Sequence, residues 1–346
     1  MCFCLWYAPD ARLNNHTSIE GSIIMAIRRM NRKLVATLVG GSLSLIVCLG
    51  LGLDLKVKAI SGDDCTAGKP YCYNTPVHLN SFINTPGFEG KPSLSSDGRE
   101  LYFVSDRPGA LGGPGDQDIY VSRRASAEAD WGPPERVPPP ISSPFFDITP
   151  SISLDGLALY FASNRPGPNS PPLPDLWVSH RASVNDEWGE AVNLGQGVNT
   201  PLFEGSISVS DDELTAYFAG MTPEFVFKIY RASRNSTAEP FGLRELVEPP
   251  INFDGNAYGP ALTPSQHVMF FSAGVDNPFA PGAVNYIYVS ERKNENDPWG
   301  TPIYLDTINC TTCFAGLPAI RAGGKEICWM GNPGDGNMDI YCATRR

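Results

Sequence analysis

Short runs of apolar and aromatic residues recur along the chain from about residue 90 to the end. Residues 101–104 are Leu-Tyr-Phe-Val and residues 159–162 are Leu-Tyr-Phe-Ala, and both runs lie between turn-forming residues. Runs of this length, separated by Gly, Pro, Asn and Asp, predict β-strands joined by tight turns. The 3.6-residue period of an amphipathic helix is absent from these runs, so the pattern predicts an all-β chain and excludes a solenoid of helix pairs.

One segment of the chain occurs twice almost unchanged. Residues 91–109 read KPSLSSDGRELYFVSDRPG, and residues 149–167 read TPSISLDGLALYFASNRPG. Fainter copies begin at Ser206, Gly259 and Leu317. The equivalent anchor positions in the five copies are spaced 58, 57, 53 and 58 residues apart, at Pro92, Pro150, Ile207, Pro260 and Pro318. Self-similarity at a nearly fixed period predicts a repeat architecture.

Each copy contains the same series of apolar positions. An aromatic or apolar pair follows ten residues after the anchor, a second pair such as Ile119-Tyr120 comes next, and four copies then have Trp-Gly or Phe-Gly. With the anchor segment and the short run after Trp-Gly, each unit has four strands. Four antiparallel strands in a unit of about 40–50 residues are the pattern of a β-propeller blade.

The two ends of the chain predict how the blades close into a ring. The fifth copy stops after its third strand, at Arg345-Arg346, and residues 75–80 (TPVHLN) match the fourth-strand segment at 301–306 (TPIYLD). Pairing of these ends would leave no open blade edge. The predicted fold is therefore a five-bladed β-propeller with four antiparallel strands per blade, closed by an N-terminal strand that completes the last blade, and residues 61–346 form this domain.

The first sixty residues have the pattern of a targeting segment. Four basic residues at positions 28–33 precede an apolar run at 34–53, and residues 57–59 (Val-Lys-Ala) offer a small-residue cleavage site. This order predicts a secretory signal peptide, with an uncleaved membrane anchor as the alternative. Met25 stands just upstream of the basic residues, so we interpret residues 1–24 as the product of an early start codon. We expect an exported protein, periplasmic or extracellular.

Composition and charge narrow the possible partners. The 346 residues carry a net charge of −11, and 34 Gly with 32 Pro make nearly one residue in five a turn former. An acidic chain lacks the basic face that nucleic acid or an anionic membrane requires. We therefore expect no nucleic-acid partner, and membrane contact only through an uncleaved N-terminal segment.

Six cysteines remain after residue 60, and an even number in an exported chain predicts disulfides. Cys328 and Cys342 fall on neighbouring antiparallel strands of the fifth copy, so we expect a cross-strand bridge between them. The remaining cysteines are expected to form two local bridges, Cys65–Cys72 and Cys310–Cys313. A zinc site needs a second pair of ligands beside Cys310 and Cys313. The sequence has neither a second CxxC pair nor a neighbouring His to supply it.

The repeat also resembles a known family. The pattern P-S-[LI]-S-x-D-G-x-x-L-Y-F-x-S-[DN]-R-P-G, followed by D-[IL]-[YW]-V-S, resembles the TolB-type, WD-like β-propeller repeat of exported bacterial proteins. The resemblance covers 76–346 and weakens in copies three to five; copy three has Asp211-Asp212 in place of D-G and lacks S-D-R-P-G. TolB itself has the character of an envelope scaffold that binds proteins. The likeness of this chain to the TolB-type repeat therefore implies a protein-binding role. Because propellers have many unrelated functions, it does not identify the activity.

Three carboxylates are the candidate catalytic residues. Glu89, Asp147 and Glu204 precede the anchors of copies one to three, on the face formed by the loops between blades and the loops between the second and third strands. Their positions are similar to the acid, base and modulator of propeller glycosidases. The favoured interpretation is structural: the acids belong to the repeat, accept backbone or arginine hydrogen bonds and have no cause for a raised pKa.

Other polar residues are weaker candidates. Arg107 and Arg165 could bind a carboxylate or phosphate on the same face, and we expect them instead to pair with Asp118 and Asp175.

A calcium ion could use the alternate oxygens of Asp335, Asn337 and Asp339, but no closing Glu follows. His78, His180 and His267 lie in different blades, and no G-x-S-x-G elbow is present.

The sequence therefore predicts a non-enzymatic, exported propeller that binds a protein or glycan partner on its loop-rich face and needs no cofactor. A carbohydrate-active hydrolase that uses Glu89, Asp147 and Glu204 is the first alternative. A structural component of the cell envelope is the second.

Overall fold

A computed structural model describes residues 71–113, 115–167, 173–253, 255–274, 283–309, 314–321, 323–332 and 337–346, and the backbone of three short strands nearer the N-terminus. The chain divides into two units, Met1–Ala67 and Gly68–Arg346. The first unit has one antiparallel sheet, ordered β1-β3-β2, of β1 (Phe3–Cys4), β2 (Val35–Val39) and β3 (Ser42–Val47). The rest of the predicted signal segment lies outside the described residues. Within the described part of the chain, no helix is long and apolar enough to cross a membrane.

The second unit contains five sheets of four antiparallel strands, one for each repeat. Blade 1 consists of β5 (Glu89–Leu94), β6 (Glu100–Ser105), β7 (Asp118–Arg123) and β8 (Glu135–Arg136). Blade 2 consists of β9 (Asp147–Ile152), β10 (Ala158–Ser163), β11 (Asp175–His180) and β12 (Val192–Asn193). Blade 3 consists of β13 (Glu204–Val209), β14 (Thr215–Met221), β15 (Phe227–Ser233) and β16 (Glu245–Leu246). Blade 4 consists of β17 (Asn256–Leu262), β18 (Val268–Gly274), β19 (Tyr286–Glu291) and β20 (Ile303–Tyr304). Blade 5 consists of β21 (Phe314–Ile320), β22 (Glu326–Asn332), β23 (Asp339–Thr344) and, from the N-terminal side, β4 (Val77–His78).

The ring closes as the repeats predict. β4 pairs antiparallel with β23, with His78 opposite Tyr341 and Val77 opposite Cys342. Each innermost strand contacts the innermost strand of the next blade, and β21 of the last blade contacts β5 of the first. The five-bladed propeller, with four antiparallel strands in each blade, is confirmed.

The strands in the middle of each blade are apolar because other blades cover both of their faces. Leu101 and Phe103 of β6 are fully buried, and Tyr102 of the same strand packs in one cluster with Leu159 and Phe161 of blade 2. The outermost strands have two residues each and face solvent. Packing of blade on blade therefore turns the middle strands into continuous apolar runs.

Every innermost strand carries a bulge at the same position, where its register with the second strand shifts. The residue at the shift has a left-handed backbone in all five blades: Lys91 (φ 41°), Thr149 (52°), Ser206 (52°), Gly259 (62°) and Leu317 (53°). This conformation is uncommon for residues other than glycine. A bulge re-aims the neighbouring side chains, and here it does so five times around the axis of the ring.

The Trp-Gly pairs of the sequence have a structural role. In four blades an arginine just after the third strand stacks on the aromatic ring of this pair, with 4.0–4.4 Å from guanidinium to ring centroid: Arg124 on Trp131, Arg181 on Trp188, Arg234 on Phe241 and Arg292 on Trp299. In the fifth blade Arg345 stacks on Tyr71, at 5.0 Å. The N-terminal segment thus supplies both the missing strand and the missing aromatic ring.

The predicted bridge between Cys328 and Cys342 is present. The two residues lie directly opposite each other on β22 and β23, with 4.0 Å between their Cα atoms. Cys72 is also disulfide-bonded. Cys65, Cys310 and Cys313 lie outside the described residues, so the two local pairings stay predictions.

Candidate functional site

The three candidate carboxylates occupy equivalent positions in blades 1 to 3. Glu89, Asp147 and Glu204 are the first residues of β5, β9 and β13, at the face where the loops between blades meet the loops between second and third strands; we call this the loop face. All three side chains are fully buried. The corresponding first residues in blades 4 and 5 are Asn256 and Phe314.

In blade 1, Glu89 holds the preceding loop against the start of the strand. Its two oxygens accept hydrogen bonds from the backbone N–H and the Oγ1 of Thr85, each at 2.8 Å. The Ser105 Oγ donates at 2.8 Å, and the Arg107 Nη2 lies 3.4 Å away. Four donors therefore surround one buried carboxylate.

Blade 2 repeats this arrangement with a shorter acid. The N–H and Oγ of Ser143 donate to Asp147 Oδ2 at 2.6 and 2.8 Å, and the Arg165 Nη2 donates to Oδ1 at 2.6 Å. Arg165 also donates to the carbonyl of Pro140 at 2.8 Å and to that of Ile141. The arginine thus joins the acid to the loop that enters the blade.

Blade 3 lacks the S-D-R-P-G segment, so the arginine that contacts its acid comes from another part of the blade. Thr200 donates its N–H and Oγ1 to Glu204, at 2.9 and 2.7 Å. The arginine is Arg244, just before β16, whose Nη1 donates to Glu204 Oε1 at 2.6 Å. Gly220 stands opposite Glu204 where blades 1 and 2 have serine, and a Cβ at Gly220 would lie 3.0 Å from the Arg244 Nη1. The missing side chain therefore makes room for the arginine.

The hydrogen bonds expected of these acids are present, but Asp147 and Glu204 do have a cause for a raised pKa, contrary to the expectation from the sequence. Burial raises the pKa of Asp147 above its usual range, although Arg165 opposes the shift. Burial raises the pKa of Glu204 to about 7, against the opposing effects of Thr200 and Arg244. At these two positions the desolvation of the carboxylate exceeds the stabilisation that its donors supply.

The predicted partners of the two arginines also need correction. Arg107 and Arg165 pair with Glu89 and Asp147, not with Asp118 and Asp175. The sequence spacing pointed to the acid that follows each arginine, whereas the fold brings the arginine back to the acid at the start of the innermost strand.

Asp118 and Asp175 are instead buried at the start of β7 and β11. Asp118 Oδ2 accepts from the Leu111 N–H at 3.0 Å and lies 3.6 Å from Arg136 Nη1, and Asp175 Oδ2 accepts from Asn193 Nδ2 at 2.9 Å. Burial raises the pKa of both acids. Each acid thus contacts the outermost strand of its own blade, and neither contacts the arginine assigned to it from the sequence.

Of the calcium candidates, Asp339 begins β23, and its Oδ2 lies 2.8 Å from the His78 Nε2 of β4. Asn337 precedes this strand, and Asp335 lies outside the described residues. The contact between Asp339 and His78 joins the third and fourth strands of blade 5 and supports the closure of the ring.

The loop face also exposes large apolar side chains that the sequence reasoning did not identify. Five of the eleven exposed large apolar residues among those described lie in its loops: Phe82 (51% exposed), Leu111 (40%), Phe145 (38%), Phe146 (42%) and Phe225 (73%). Of the other six, four lie on outermost strands and two in loops at the opposite face. The exposed aromatic rings are therefore concentrated on the loop face.

Sequence reasoning also missed the groups that support the acids. A residue with a hydroxyl stands four positions before each acid, at Thr85, Ser143 and Thr200, and this spacing was readable. Arg244 had no such signal, because it belongs to no motif of the repeat.

Comparisons by sequence find no matching family model and no matching curated protein. The catalytic domain of the GH62 α-L-arabinofuranosidase of Coprinopsis cinerea matches 80% of this chain and 97% of its own length, at 8% identity and a TM-score of 0.54. The arabinanase Arb43A of Bacillus subtilis matches 76% of this chain and 95% of its own length, at 13% identity and a TM-score of 0.50. TolB of Acinetobacter baumannii matches 77% of this chain and 56% of its own length, at 12% identity and a TM-score of 0.45. At these identities the likeness concerns the fold, and the chain is a five-bladed β-propeller, the fold that its resemblance to TolB-type repeats implies.

Proposed function

We propose that this chain is an exported, non-enzymatic propeller that binds a protein partner through its loop face. The observation that carries the proposal is the concentration of exposed phenylalanines in the loops of that face, with Phe145 and Phe146 adjacent in one loop. Exposed aromatic side chains are enriched where proteins bind each other, because they bury a large area with few rotatable bonds. Adjacent apolar rings of this kind match the apolar side chains that a protein partner would present.

The state of the three carboxylates supports a binding role. A catalytic acid must reach its substrate, whereas Glu89, Asp147 and Glu204 are fully buried and accept hydrogen bonds from their own blades. Their contacts attach each incoming loop to the innermost strand. On this proposal the acids hold the loop face in shape, and the loops themselves contact the partner.

Export is the second part of the proposal. The disulfide between Cys328 and Cys342 supports it, since such bonds persist in oxidising compartments. The basic and apolar segment before residue 60 is the proposed signal, and we expect the exported protein to begin just after Ala59. N-terminal sequencing of the protein from the exported fraction tests this part.

Two double variants test the binding face. Phe145→Ser with Phe146→Ser removes rings from the loop face, and Val184→Ser with Leu243→Ser removes exposed apolar side chains (54% and 82% exposed) from the opposite face. The wild-type protein is used as bait in the exported fraction of its source organism and on a glycan array, and Kd is measured for each ligand found. We expect a protein ligand whose affinity falls at least about tenfold in the first variant and stays unchanged in the second. Equal losses in both variants, or binding only to glycans, would reject the proposal.

A carbohydrate hydrolase is the second candidate, and the raised pKa of Glu204 favours it. A glycosidase needs one carboxyl group that is protonated near neutral pH, and burial raises the pKa of Glu204 to about 7. The purified protein is screened against aryl glycosides and plant and bacterial polysaccharides. Turnover that is lost in Glu204→Gln and kept in Val184→Ser would establish the hydrolase and overturn the binding proposal.

A further inference from the structure

The innermost strands surround a cavity at the end of the ring opposite the loop face. The second halves of all five innermost strands and the turns that follow several of them line this cavity, which has a volume of about 90 Å³. Pockets for drug-sized ligands measure roughly 300–1,000 Å³, so this cavity is sized for a small ion. None of the candidate residues from the sequence lines it.

Lys91 lines the cavity and is almost completely buried, with 4% of its surface exposed. It is the bulge residue of blade 1, and its counterparts in the other blades, Thr149, Ser206, Gly259 and Leu317, carry no charge. Among the described residues, no acceptor lies within hydrogen-bonding distance of its ammonium group and no carboxylate pairs with it. The Lys91 side chain is buried, but its ammonium nitrogen is not among the buried side-chain atoms without a partner, so this nitrogen is open to the cavity. Burial of the rest of the side chain limits its hydration, and a bound anion would offset that cost.

The pKa of Lys91 reflects the same burial. Burial lowers its pKa to about 8, and no neighbouring carboxylate contributes to the shift. At neutral pH the side chain is therefore still mostly protonated, so the cavity contains a positive charge under ordinary conditions.

Two serine hydroxyls add donors to the same cavity. Ser93 Oγ accepts the backbone N–H of Ile152 at 3.0 Å, and Ser208 Oγ accepts that of Leu262 at 3.1 Å. Each hydroxyl proton remains available, because no described residue accepts it. One carboxylate also lines the cavity, that of Asp211, an exposed residue in the turn after β13. The residues that line the cavity thus include one lysine, two serines with a hydroxyl proton to donate and a single carboxylate.

We propose that this cavity is a binding site for a small oxyanion, a carboxylate or phosphate group, held by the Lys91 ammonium with the hydroxyls of Ser93 and Ser208. A ligand that only accepts hydrogen bonds matches an ammonium group and two hydroxyl donors. The site lies at the opposite end of the ring from the loop face. It is therefore independent of the partner proposed above, and either proposal can fail alone.

The first test is a titration of the wild-type protein labelled with ¹³C at the lysine Cε. Sodium acetate and sodium phosphate are the two probes, and sodium chloride at matched ionic strength is the reference. We expect one lysine resonance to shift and saturate with acetate or phosphate but not with chloride, and the tighter of the two probes identifies the carboxylate or the phosphate chemistry. The resonance is assigned by its absence from Lys91→Met, or from Lys91→Arg if the Met variant does not fold.

The second test measures melting temperature in the same titrations. A ligand that binds only the folded state raises the melting temperature in a concentration-dependent way. The rise is expected in the wild type and in the control Lys293→Met, which removes an exposed lysine, and it is expected to be lost in Lys91→Met. Absence of any saturable lysine shift, or equal thermal shifts in the wild type and Lys91→Met, would overturn the proposal.

Discussion

Replacing Glu204 by Gln is expected to change how the stability of the propeller depends on pH. The substitution keeps the size of the side chain and an acceptor for the Thr200 N–H, which lies 2.9 Å from the carboxylate. It removes the only group at this position that titrates between pH 4 and 8. The ion pair with Arg244 becomes a hydrogen bond from the charged guanidinium to a neutral amide oxygen, or it is lost.

The sign and size of the effect follow from the burial of the carboxylate. Burial raises the pKa of Glu204 from 4.5 to about 7, so the folded chain holds this proton more tightly than the unfolded chain. Stability from this group is therefore complete below about pH 4.5, falls as the pH rises to about 7 and is constant above that. A shift of this size corresponds to about 3 kcal/mol, since one pKa unit is worth about 1.4 kcal/mol. The Glu204→Gln variant does not lose this stability as the pH rises, because its amide does not titrate.

Urea unfolding of the wild type and Glu204→Gln at several pH values between 4.5 and 8 measures the difference in unfolding free energy. The difference between the two proteins should change by about 3 kcal/mol over this range, in favour of the variant at high pH. Other titrating groups, such as Asp147, affect both proteins alike and cancel. Glu245→Gln removes an exposed carboxylate beside Arg244 and is the control. A difference that stays constant within about 0.5 kcal/mol would show that desolvation does not dominate at Glu204.

Three further predictions concern stability. Replacing both Cys328 and Cys342 by Ala should cost about 3 kcal/mol of unfolding free energy, the value for a loop closed over 14 residues, and urea unfolding with and without reductant measures it. A truncation that removes Thr75–Asn80 deletes β4 and the buried Leu79, and should lower the unfolding free energy by about 2–5 kcal/mol or more. An unchanged melting temperature would contradict the closure of the ring. Arg244→Ala should cost about 3 kcal/mol at pH 8, where Glu204 is ionised, and clearly less at pH 5, where it is protonated; equal losses at both values would mean that the ion pair contributes little.

The blades were predictable because each is an antiparallel β-meander whose consecutive strands come from one sequence repeat. The paired positions on β6 and β7 are close in the chain, from Ser105 opposite Asp118 to Glu100 opposite Arg123, and turn-forming residues lie between the two strands. The strand pairing of Cys328 with Cys342 was predictable for the same reason. Closure of the ring was the one long-range contact that the sequence revealed, because the fifth copy lacks a strand and the N-terminal segment contains it.

The contacts of the candidate site were less predictable. Arg107 and Arg165 follow the second strand of their blades, and the partners expected for them were Asp118 and Asp175, the acids that begin the third strands. In the fold, the end of the second strand lies beside the start of the first, as the pairing of Ser105 with Glu89 demonstrates. The arginines therefore reach the acids of the first strand. Arg244 reaches Glu204 across 40 residues and has no motif that could have identified it.

The sequence by itself determined the number of blades, the four strands in each, the completion of the last blade and one disulfide. These features depend on the order of apolar and turn-forming residues within a repeat and on pairing between adjacent strands, both of which are local. Only the tertiary structure decided the burial of Glu204, the partner of each arginine, the concentration of exposed phenylalanines on one face and the position of Lys91 in the central cavity. Each of these depends on how separate blades and loops converge around the axis, and burial by residues distant in the chain leaves no pattern in the sequence around the buried group.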